Sequence, residues 1–139
     1  MKIISIDPGE SSGVVVCTVD GHMDTFTIID HRTISLWRGF ECMLDEHQPD
    51  VIVAEQFRLY PQMARTQAFS TMVAPQVLGA VREIAERKGM PVIEQAANIG
   101  TKLQMPVHAA KELRKLKTEH EKDAAKHAYA YCLSQGVRE

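Results

Sequence analysis

The chain has 139 residues, of which 45% are hydrophobic and 24% are charged, and its formal net charge is −2. This length and composition predict a single globular domain, 1–139, that is large enough to bury its own core. The charge balance excludes a globally basic nucleic-acid-binding surface, so any such surface must be a local patch.

The cysteine pattern and the absence of long apolar runs indicate the cellular compartment of the protein. Cys17, Cys42 and Cys132 are odd in number and widely spaced, and no CxxC pair occurs. This pattern argues against disulfides and zinc sites and fits a reducing cytoplasm. No stretch has the pattern of a signal peptide or a transmembrane helix, so we expect a cytoplasmic protein with no membrane partner.

The segment KIISIDPGESSGVVV predicts a buried strand, a tight turn and a second strand. Its first strand, Lys2–Ile6, is apolar almost throughout, which is typical of a central strand buried on both faces. Pro8 and Gly9 predict the turn. Asp7 stands directly at the end of the strand, where a carboxylate is costly unless it has a partner. A metal ion is a common partner.

The next elements predict an antiparallel meander, a helix and a fourth strand. Strands are expected over Gly13–Cys17 and Met23–Asp30, and a helical stripe of apolar residues predicts a helix over Ile34–His47. The apolar run Val51–Ala54 predicts the fourth strand, which ends at Glu55. A strand reached through a helix pairs in parallel with an earlier one, which would place this carboxylate beside the first.

The second half of the chain predicts three helices, one short strand and one loop. The ranges are Arg65–Lys88 for a long helix, Pro91–Glu94 for the strand, Gln95–Gln104 for the loop, Pro106–Leu116 for a basic helix and Thr118–Ser134 for the last helix. Pro75 is expected to kink the long helix, and Thr118 with Glu121 forms a capping box. The order β-β-β-α-β-α-β-α-α predicts an α/β fold with one mixed central sheet.

One face of the last helix carries the remaining candidate ligands. His120, Asp123 and His127 are spaced i, i+3, i+7 and therefore share a face. Ala124 and Ala128 let this helix lie close to the sheet, which would bring Asp123 over the two strand ends. Three carboxylates form an oxygen-rich site that suits Mg²⁺ or Mn²⁺ better than zinc. Two such ions about 4 Å apart can support phosphodiester cleavage.

The motifs IDPGESSGVVV, VIVAEQF and HEKDAAKHA, in this order, resemble the RuvC-type Holliday junction resolvases of the ribonuclease H-like nucleases. The resemblance extends from Ile3 to Tyr131. It implies a ribonuclease H-like, mixed five-stranded sheet flanked by helices. It also implies a metal-dependent endonuclease, acting as a homodimer on four-way or other branched DNA in a bacterial or phage-infected cell, without a nucleotide cofactor. The family's metal ligands match Asp7, Glu55, His120 and Asp123, with His127 as an alternative ligand.

The resemblance also indicates which side chains would contact DNA. The family has a lysine-containing segment before the basic helix, and Lys102 is the match for a phosphate-contacting or catalytic lysine. An aromatic residue after the glutamate separates junction bases in the family, and Phe57 and Tyr60 compete for that position. The full set of candidate DNA contacts is Phe57, Arg58, Tyr60, Lys102, Lys111, Arg114, Lys115 and Lys117.

Each feature also has a plainer explanation. Asp7 is a common turn former, and Glu55 could form an ion pair with Arg58 or Lys102. Asp123 would stabilise the first turns of its helix without any function. The basic residues could be a solvated face, because glutamates are interleaved with them. The apolar residues of the long helix could belong to the core or to a dimer interface; they are Phe69, Met72, Val73, Val77, Leu78, Val81 and Ile84.

Two other functional classes are compatible with parts of the sequence. IDPGESSG resembles the first phosphate loop of sugar-kinase and actin-like ATPases, but those proteins need a second domain that 139 residues cannot hold. A non-catalytic nucleic-acid-binding module of the same fold is the other alternative. The presence of all three carboxylates favours the enzyme.

Overall fold

Five strands and five helices make up the part of the chain, residues 1–57 and 72–139, that this computed structural model describes. In chain order they are β1 (Lys2–Asp7), β2 (Ser11–Asp20), β3 (His22–Ser35), α1 (Phe40–His47), β4 (Val51–Glu55), α2 (Val73–Lys88), β5 (Val92–Gln95), α3 (Asn98–Lys102), α4 (Val107–Leu113) and α5 (Glu119–Ser134).

The strands form one mixed sheet in the order β3-β2-β1-β4-β5. β1, β2 and β3 pair antiparallel, as the predicted meander requires, and β4 and β5 continue the sheet in parallel with β1. In the pairing of β1 with β4, Ile3 lies opposite Val51 and Ile6 opposite Ala54. The predicted mixed five-stranded sheet is therefore confirmed, and the carboxyl ends of β1 and β4 emerge side by side.

The sheet is the middle of three layers, because both of its faces are buried. Ile3 belongs to the apolar cluster on the side of α4 and α5, whereas Ile4 and Ile6 belong to the cluster on the side of α1 and α2. All three side chains are fully buried, and each such burial contributes about 1.5–3 kcal/mol of stability. Since alternate strand residues share a face, Asp7 lies on the same side as α5.

The helix predicted over Ile34–His47 is wrong at its start, because β3 continues to Ser35 and α1 begins at Phe40. Ser35 pairs with Ser11 of β2, and Leu36 then turns the chain with a positive φ of 56°. The apolar stripe of the sequence resembles a helix there, but the ladder partners that β2 offers decide the conformation.

The long helix is described as α2, and its predicted end at Lys88 is confirmed. Gly89 caps it with a left-handed φ of 65°. The predicted residues before Met72 lie outside the described part of the chain. Pro75 is the third residue of α2, and the kink expected there stays a prediction.

Most of the apolar residues considered for a dimer interface on α2 are core residues. Val77, Leu78, Val81 and Ile84 are buried in the cluster that also contains Ile4 and Ile6. Val73 packs partly buried against the same cluster, and Met72 is half exposed. Phe69 lies outside the described residues. The core explanation therefore holds for the four buried members of this set.

The loop predicted over Gln95–Gln104 is also wrong in part, because it contains the short helix α3. The sequence Asn-Ile-Gly-Thr-Lys has weak helical preference, since it contains glycine, two β-branched residues and asparagine. The helix packs against α5, and this tertiary contact accounts for a conformation that the local sequence does not favour.

The start of α5 is fixed by its cap and by a buried carboxylate. The hydroxyl of Thr118 accepts a hydrogen bond from the Glu121 N–H at 3.2 Å, as the predicted cap requires. The Glu121 side chain is only 2% exposed and accepts hydrogen bonds from Thr33 and His31 of β3, each at 2.6 Å. These bonds tie the first turn of α5 to the sheet.

Glu121 is thus not part of a solvated face, and neither is Glu112, which is also buried. Burial alone would raise the pKa of Glu121, but hydrogen bonds from Thr33, His31 and Thr118 outweigh it, so the pKa lies below its usual value. Glu112 and Glu121 are therefore not simply counter-charges of the basic residues around them, whereas Glu119 is exposed and pairs with Lys122.

No helix in the described ranges is both long and apolar enough to cross a membrane.

Candidate active site

Asp7 and Glu55 lie beside each other at one edge of the sheet. They follow the paired residues Ile6 and Ala54 on neighbouring strands, which run about 4.8 Å apart. Both side chains are on the α5 side and are mostly buried, with 13% of Asp7 and 25% of Glu55 exposed. Parallel pairing of β1 with β4 therefore produces the neighbouring carboxylates that the sequence predicts.

The first turn of α5 brings His120 to Asp7. His120 Nδ1 lies 3.0 Å from Asp7 Oδ2, although the two residues are 113 positions apart. Gly13 pairs with Asp7 across β1 and β2, and a β-carbon on it would lie 2.2 Å from the carbonyl carbon of His120. The absence of a side chain at this position thus lets the backbone of α5 rest directly on β2.

His127, two turns further along α5, is almost completely buried between two strand ends. Its Nε2 lies 3.4 Å from Glu55 Oε2, and its Nδ1 lies 2.8 Å from Gln95 Oε1. Gln95 is the last residue of β5 and pairs with Glu55 in the sheet. Gln95 was predicted to begin a loop, and its contact with His127 was missed. Its signal was a polar residue at the end of an apolar strand, as at Asp7 and Glu55.

The charges of the three carboxylates interact. The pKa of Asp7 is raised to about 6, mainly by burial and also by the charges of Glu55 and Asp123, while the hydrogen bond and charge of His120 oppose the rise. Burial likewise raises the pKa of Asp123, with Glu55 adding to the rise and Lys126, 3.8 Å away, opposing it. Asp7, Glu55 and Asp123 therefore lie close enough to repel one another.

This donor set fits a hard divalent cation. Carboxylate oxygens with one or two imidazole nitrogens suit Mg²⁺ or Mn²⁺, and a cation would relieve the repulsion that raises the pKa of Asp7. Across residues 1–57 and 72–139, no three of the predicted ligands bring their ligand atoms all within 4.8 Å of one another. The contacts instead pair Asp7 with His120 and Glu55 with His127.

A different group of three residues has its possible ligand atoms within 4.8 Å of one another. It consists of Asp30 on the edge strand β3 and of Glu46 and His47 on α1. His47 Nε2 lies 2.8 Å from Asp30 Oδ2. The Arg32 guanidinium, however, already donates to Asp30 at 3.2 Å and to Glu46 at 3.0 Å. An arginine that neutralises both carboxylates makes this cluster an ion-pair network rather than a metal centre.

The predicted DNA-contacting residues beyond β4 differ in their exposure, and two of them are not among the described residues. Phe57 packs, partly buried, against the core cluster on the α2 side, so the structure does not present it as a freely exposed wedge. Arg58 and Tyr60 lie outside the described residues. Lys102 is exposed at the end of α3. This helix passes beside the site, because a β-carbon on Gly100 would lie 3.9 Å from His127 Nε2.

The basic candidates lie on α4 and on the turn before α5. Lys111, Arg114 and Lys117 are exposed, and none of them forms an ion pair with another described residue. Lys115 differs, because its Nζ donates to Glu112 at 2.7 Å, and Glu112 also accepts the Ile28 N–H at 2.8 Å. Three of the four positive charges are thus available to an anionic ligand.

The sequence is similar to one curated protein, and no protein-family model matches it. That protein is the crossover junction endodeoxyribonuclease RuvC of Nocardioides sp. strain JS614, with 28% identity over 107 residues. The match covers 66% of this chain and 56% of RuvC. The chain therefore spans little more than half the length of the curated relative that it matches.

The structure is similar to solved resolvases over almost its whole length. Thermus thermophilus RuvC, whose structure is also known in complex with a Holliday junction substrate, matches with a TM-score of 0.74, 17% identity, and coverage of 99% of this chain and 98% of RuvC. The fowlpox virus resolvase, solved with Holliday junction DNA, matches with a TM-score of 0.63, 13% identity, and coverage of 95% and 99%. The resemblance found in three short motifs is thus confirmed, and the chain has the ribonuclease H-like fold of RuvC.

Proposed function

We propose that this chain is a divalent-metal-dependent endodeoxyribonuclease that cuts four-way or other branched DNA. The observation that carries the proposal is the meeting of Asp7, Glu55 and Asp123, from three distant segments, at the carboxyl ends of β1 and β4, where burial and the charges of Glu55 and Asp123 raise the pKa of Asp7 to about 6. A buried ion pair would explain one such carboxylate, but not three that repel one another. The similarity to RuvC supports DNA as the substrate.

The proposed ligands differ in the atoms that they offer to a metal ion. Asp7, Glu55 and Asp123 supply oxygen ligands, and His120 and His127 supply nitrogen ligands, for Mg²⁺ or Mn²⁺, with two ions as the proposed number. When bound, such ions activate water and stabilise the leaving oxygen of a phosphodiester. Asp7 is held in place by its strand and by His120, so its carboxylate is oriented before a ligand arrives.

The DNA backbone would lie along the rim formed by α3, α4 and the turn before α5. Lys111, Arg114 and Lys117 are exposed there for phosphate contacts, and Lys115 can leave Glu112 to join them. Lys102, at the end of α3, is proposed as the phosphate-contacting or catalytic lysine nearest the site. Phe57, Arg58 and Tyr60 remain proposed contacts to the junction on the strength of the sequence resemblance.

A homodimer is proposed because cutting a four-way junction symmetrically requires two active sites. Met72, which is half exposed at the start of α2, is a described apolar residue available for such contact. The buried residues of α2 do not contribute, since they are needed by the core.

The test uses labelled four-way, flap, loop and linear DNAs with Mg²⁺ or Mn²⁺. The parent should cut a branched substrate in preference to linear DNA. Asp7→Asn should lower the rate by about 10²–10³-fold, which corresponds to several kcal/mol of lost transition-state stabilisation. Asp24→Asn, at an exposed position at the opposite end of the sheet, is the matched control and should cut as the parent does. Unchanged four-way junction cleavage by Asp7→Asn would refute the proposal.

The alternative is a nucleic-acid-binding module without catalysis. It predicts that the parent binds junctions in EDTA and cuts none of the four DNAs with either metal. The same set of reactions, with a binding measurement in EDTA, separates the two functions.

A further inference from the structure

Gln95 and His127 form a buried pair beside the candidate metal ligands. Gln95 is 8% exposed and His127 is 1% exposed, and Gln95 Oε1 lies 2.8 Å from His127 Nδ1. The backbone of Gln95 is fixed as well, because its carbonyl accepts the Gln56 N–H at 2.6 Å in the sheet. The glutamine therefore has little freedom to move away from the imidazole.

The chemistry of the pair determines which ring nitrogen of His127 carries the proton. A side-chain amide oxygen can only accept hydrogen bonds, so Nδ1 must be the donor. In the neutral imidazole, Nε2 then carries a lone pair. This lone pair faces the Glu55 carboxylate at 3.4 Å, which is longer than an ordinary N–H···O hydrogen bond.

Because the lone pair of His127 Nε2 and the carboxylate of Glu55 face each other, a cation can bind to both. Two ligand atoms of one Mg²⁺ ion, each about 2.1 Å from it in octahedral geometry, lie about 3 Å apart. The 3.4 Å between His127 Nε2 and Glu55 Oε2 is close to that separation. Histidine ligands commonly donate their other N–H to a fixed acceptor, which orients the ring.

We propose that Gln95 is a positioning residue that holds His127 with its Nδ1 protonated and its Nε2 lone pair directed at Glu55, so that His127 serves as a nitrogen ligand of the divalent cation. The proposal rests on the proposed function for the identity of the site. It extends that function by a residue from β5, a strand that contributes none of the ligands expected from the sequence. A nitrogen ligand at this position favours Mn²⁺ over Mg²⁺.

The first measurement needs no variant. Nitrogen-15 NMR of the histidine rings in the metal-free parent chain, at a pH where the His127 ring is neutral, should show its proton on Nδ1. A neutral ring with its proton on Nε2 overturns the proposal. Assignment uses the loss of one set of ring signals in His127→Gln.

The second measurement is the affinity for Mn²⁺, determined by titration with an EPR readout. Gln95→Met preserves the size of the side chain but removes the acceptor, and it should weaken Mn²⁺ binding by about 10-fold or more. Gln95→Glu keeps an acceptor oxygen and should bind Mn²⁺ at least as well as the parent. Gln104→Met, at an exposed position in the loop before α4, is the matched control and should leave the affinity unchanged.

Parent-like Mn²⁺ affinity in a folded Gln95→Met protein would overturn the proposal, even if the nuclease activity were intact. Conversely, a chain that cuts no DNA but loses Mn²⁺ affinity in Gln95→Met would refute the proposed function while retaining the metal-positioning role. If Gln95→Met does not fold, the tautomer of the parent still decides the proposal.

Discussion

Asp7 combines a buried position with two negatively charged neighbours. Its carboxyl group has a pKa of about 6 in the folded chain, raised from 3.8 mainly by burial. A carboxyl group whose pKa is raised by folding does not lower the free energy of unfolding at a pH below its pKa in the unfolded chain. As the pH rises from that pKa through the pKa in the folded chain, the group lowers the free energy of unfolding, because its buried charged form is unfavourable. The free energy of unfolding should therefore decrease between about pH 4 and pH 6 through this one residue.

Asp7→Asn should accordingly be more stable than the parent at pH 8 in EDTA, by about 1–3 kcal/mol, because it removes a buried charge. The difference should shrink towards pH 4, where the parent's carboxyl group is protonated. Urea unfolding of both proteins across this pH range checks the prediction. A variant that is less stable than the parent at pH 8 would contradict it.

Addition of Mg²⁺ or Mn²⁺ should make the parent more stable than Asp7→Asn. Only the parent retains all of the proposed metal ligands, and an ion that binds the folded state stabilises it. The same unfolding experiment at pH 8 with excess metal therefore serves as the control.

At the scale of elements, the site depends on how closely α5 approaches the sheet. Glu121 anchors its first turn to β3, Gly13 allows it to touch β2, and Ala124 and Ala128 are fully buried beneath it. The sequence indicated the alanines and the cap. It could not indicate Gly13, because the meaning of this glycine depends on a backbone more than one hundred residues away.

Gly13→Ala should displace the first turn of α5, since the new β-carbon would lie 2.2–2.4 Å from backbone atoms of His120 and Glu121. Overpacking of this kind costs about 1–3 kcal/mol, and a displacement of about 1 Å at a reactive site can cost 10²-fold in rate. We expect a folded but less stable protein with cleavage reduced by about 10²-fold, measured by thermal unfolding and junction cleavage.

Gly79→Ala is the matched control for that substitution. Gly79 lies within α2, and a β-carbon there meets no described atom within 4 Å. Alanine should stabilise the helix by about 0.5–1 kcal/mol and leave cleavage unchanged. Equal activity in both alanine variants would show that the approach of α5 does not control the site.

The elements that the sequence predicted correctly are those whose local pattern agrees with their tertiary environment. β1 and β4 are short apolar runs that end in carboxylates, and both are buried as that pattern implies. The end of β3 and the helix α3 were predicted incorrectly, since pairing with β2 and packing on α5 override their local preferences. Gln95 was missed for a related reason: a single polar residue gains significance only beside His127.

At the scale of the whole molecule, the proposed binding to a polyanion must coexist with a net charge of −2. The exposed side chains of Lys111, Arg114 and Lys117 lie on α4, which packs against β3, and on the segment that leads from it to α5. DNA affinity should then depend on a local field, which salt weakens, rather than on the total charge.

Replacing Lys111, Arg114 and Lys117 together by glutamine should weaken junction binding and reduce its salt dependence. Each lost phosphate contact lowers the slope of log K against log salt by about 0.9, so the expected change is between about 1 and 3. Lys88→Gln, on the other side of the sheet where Lys88 pairs with Asp45, should leave the slope unchanged. Binding measured in EDTA at several salt concentrations distinguishes these outcomes, and an unaltered slope in the triple variant would place the DNA elsewhere.

The contact between Asp7 and His120 joins residues that are 113 positions apart in the chain. During synthesis, β1, β2 and β4 can emerge and pair long before α5 exists, so the growing chain carries two carboxylates without the ligands that complete them. A ribosome that stalls or terminates before Thr118 would release a product with the acidic strand ends but without the ligands that α5 is proposed to supply. The order of the segments thus delays assembly of the proposed metal site until α5 has been synthesised.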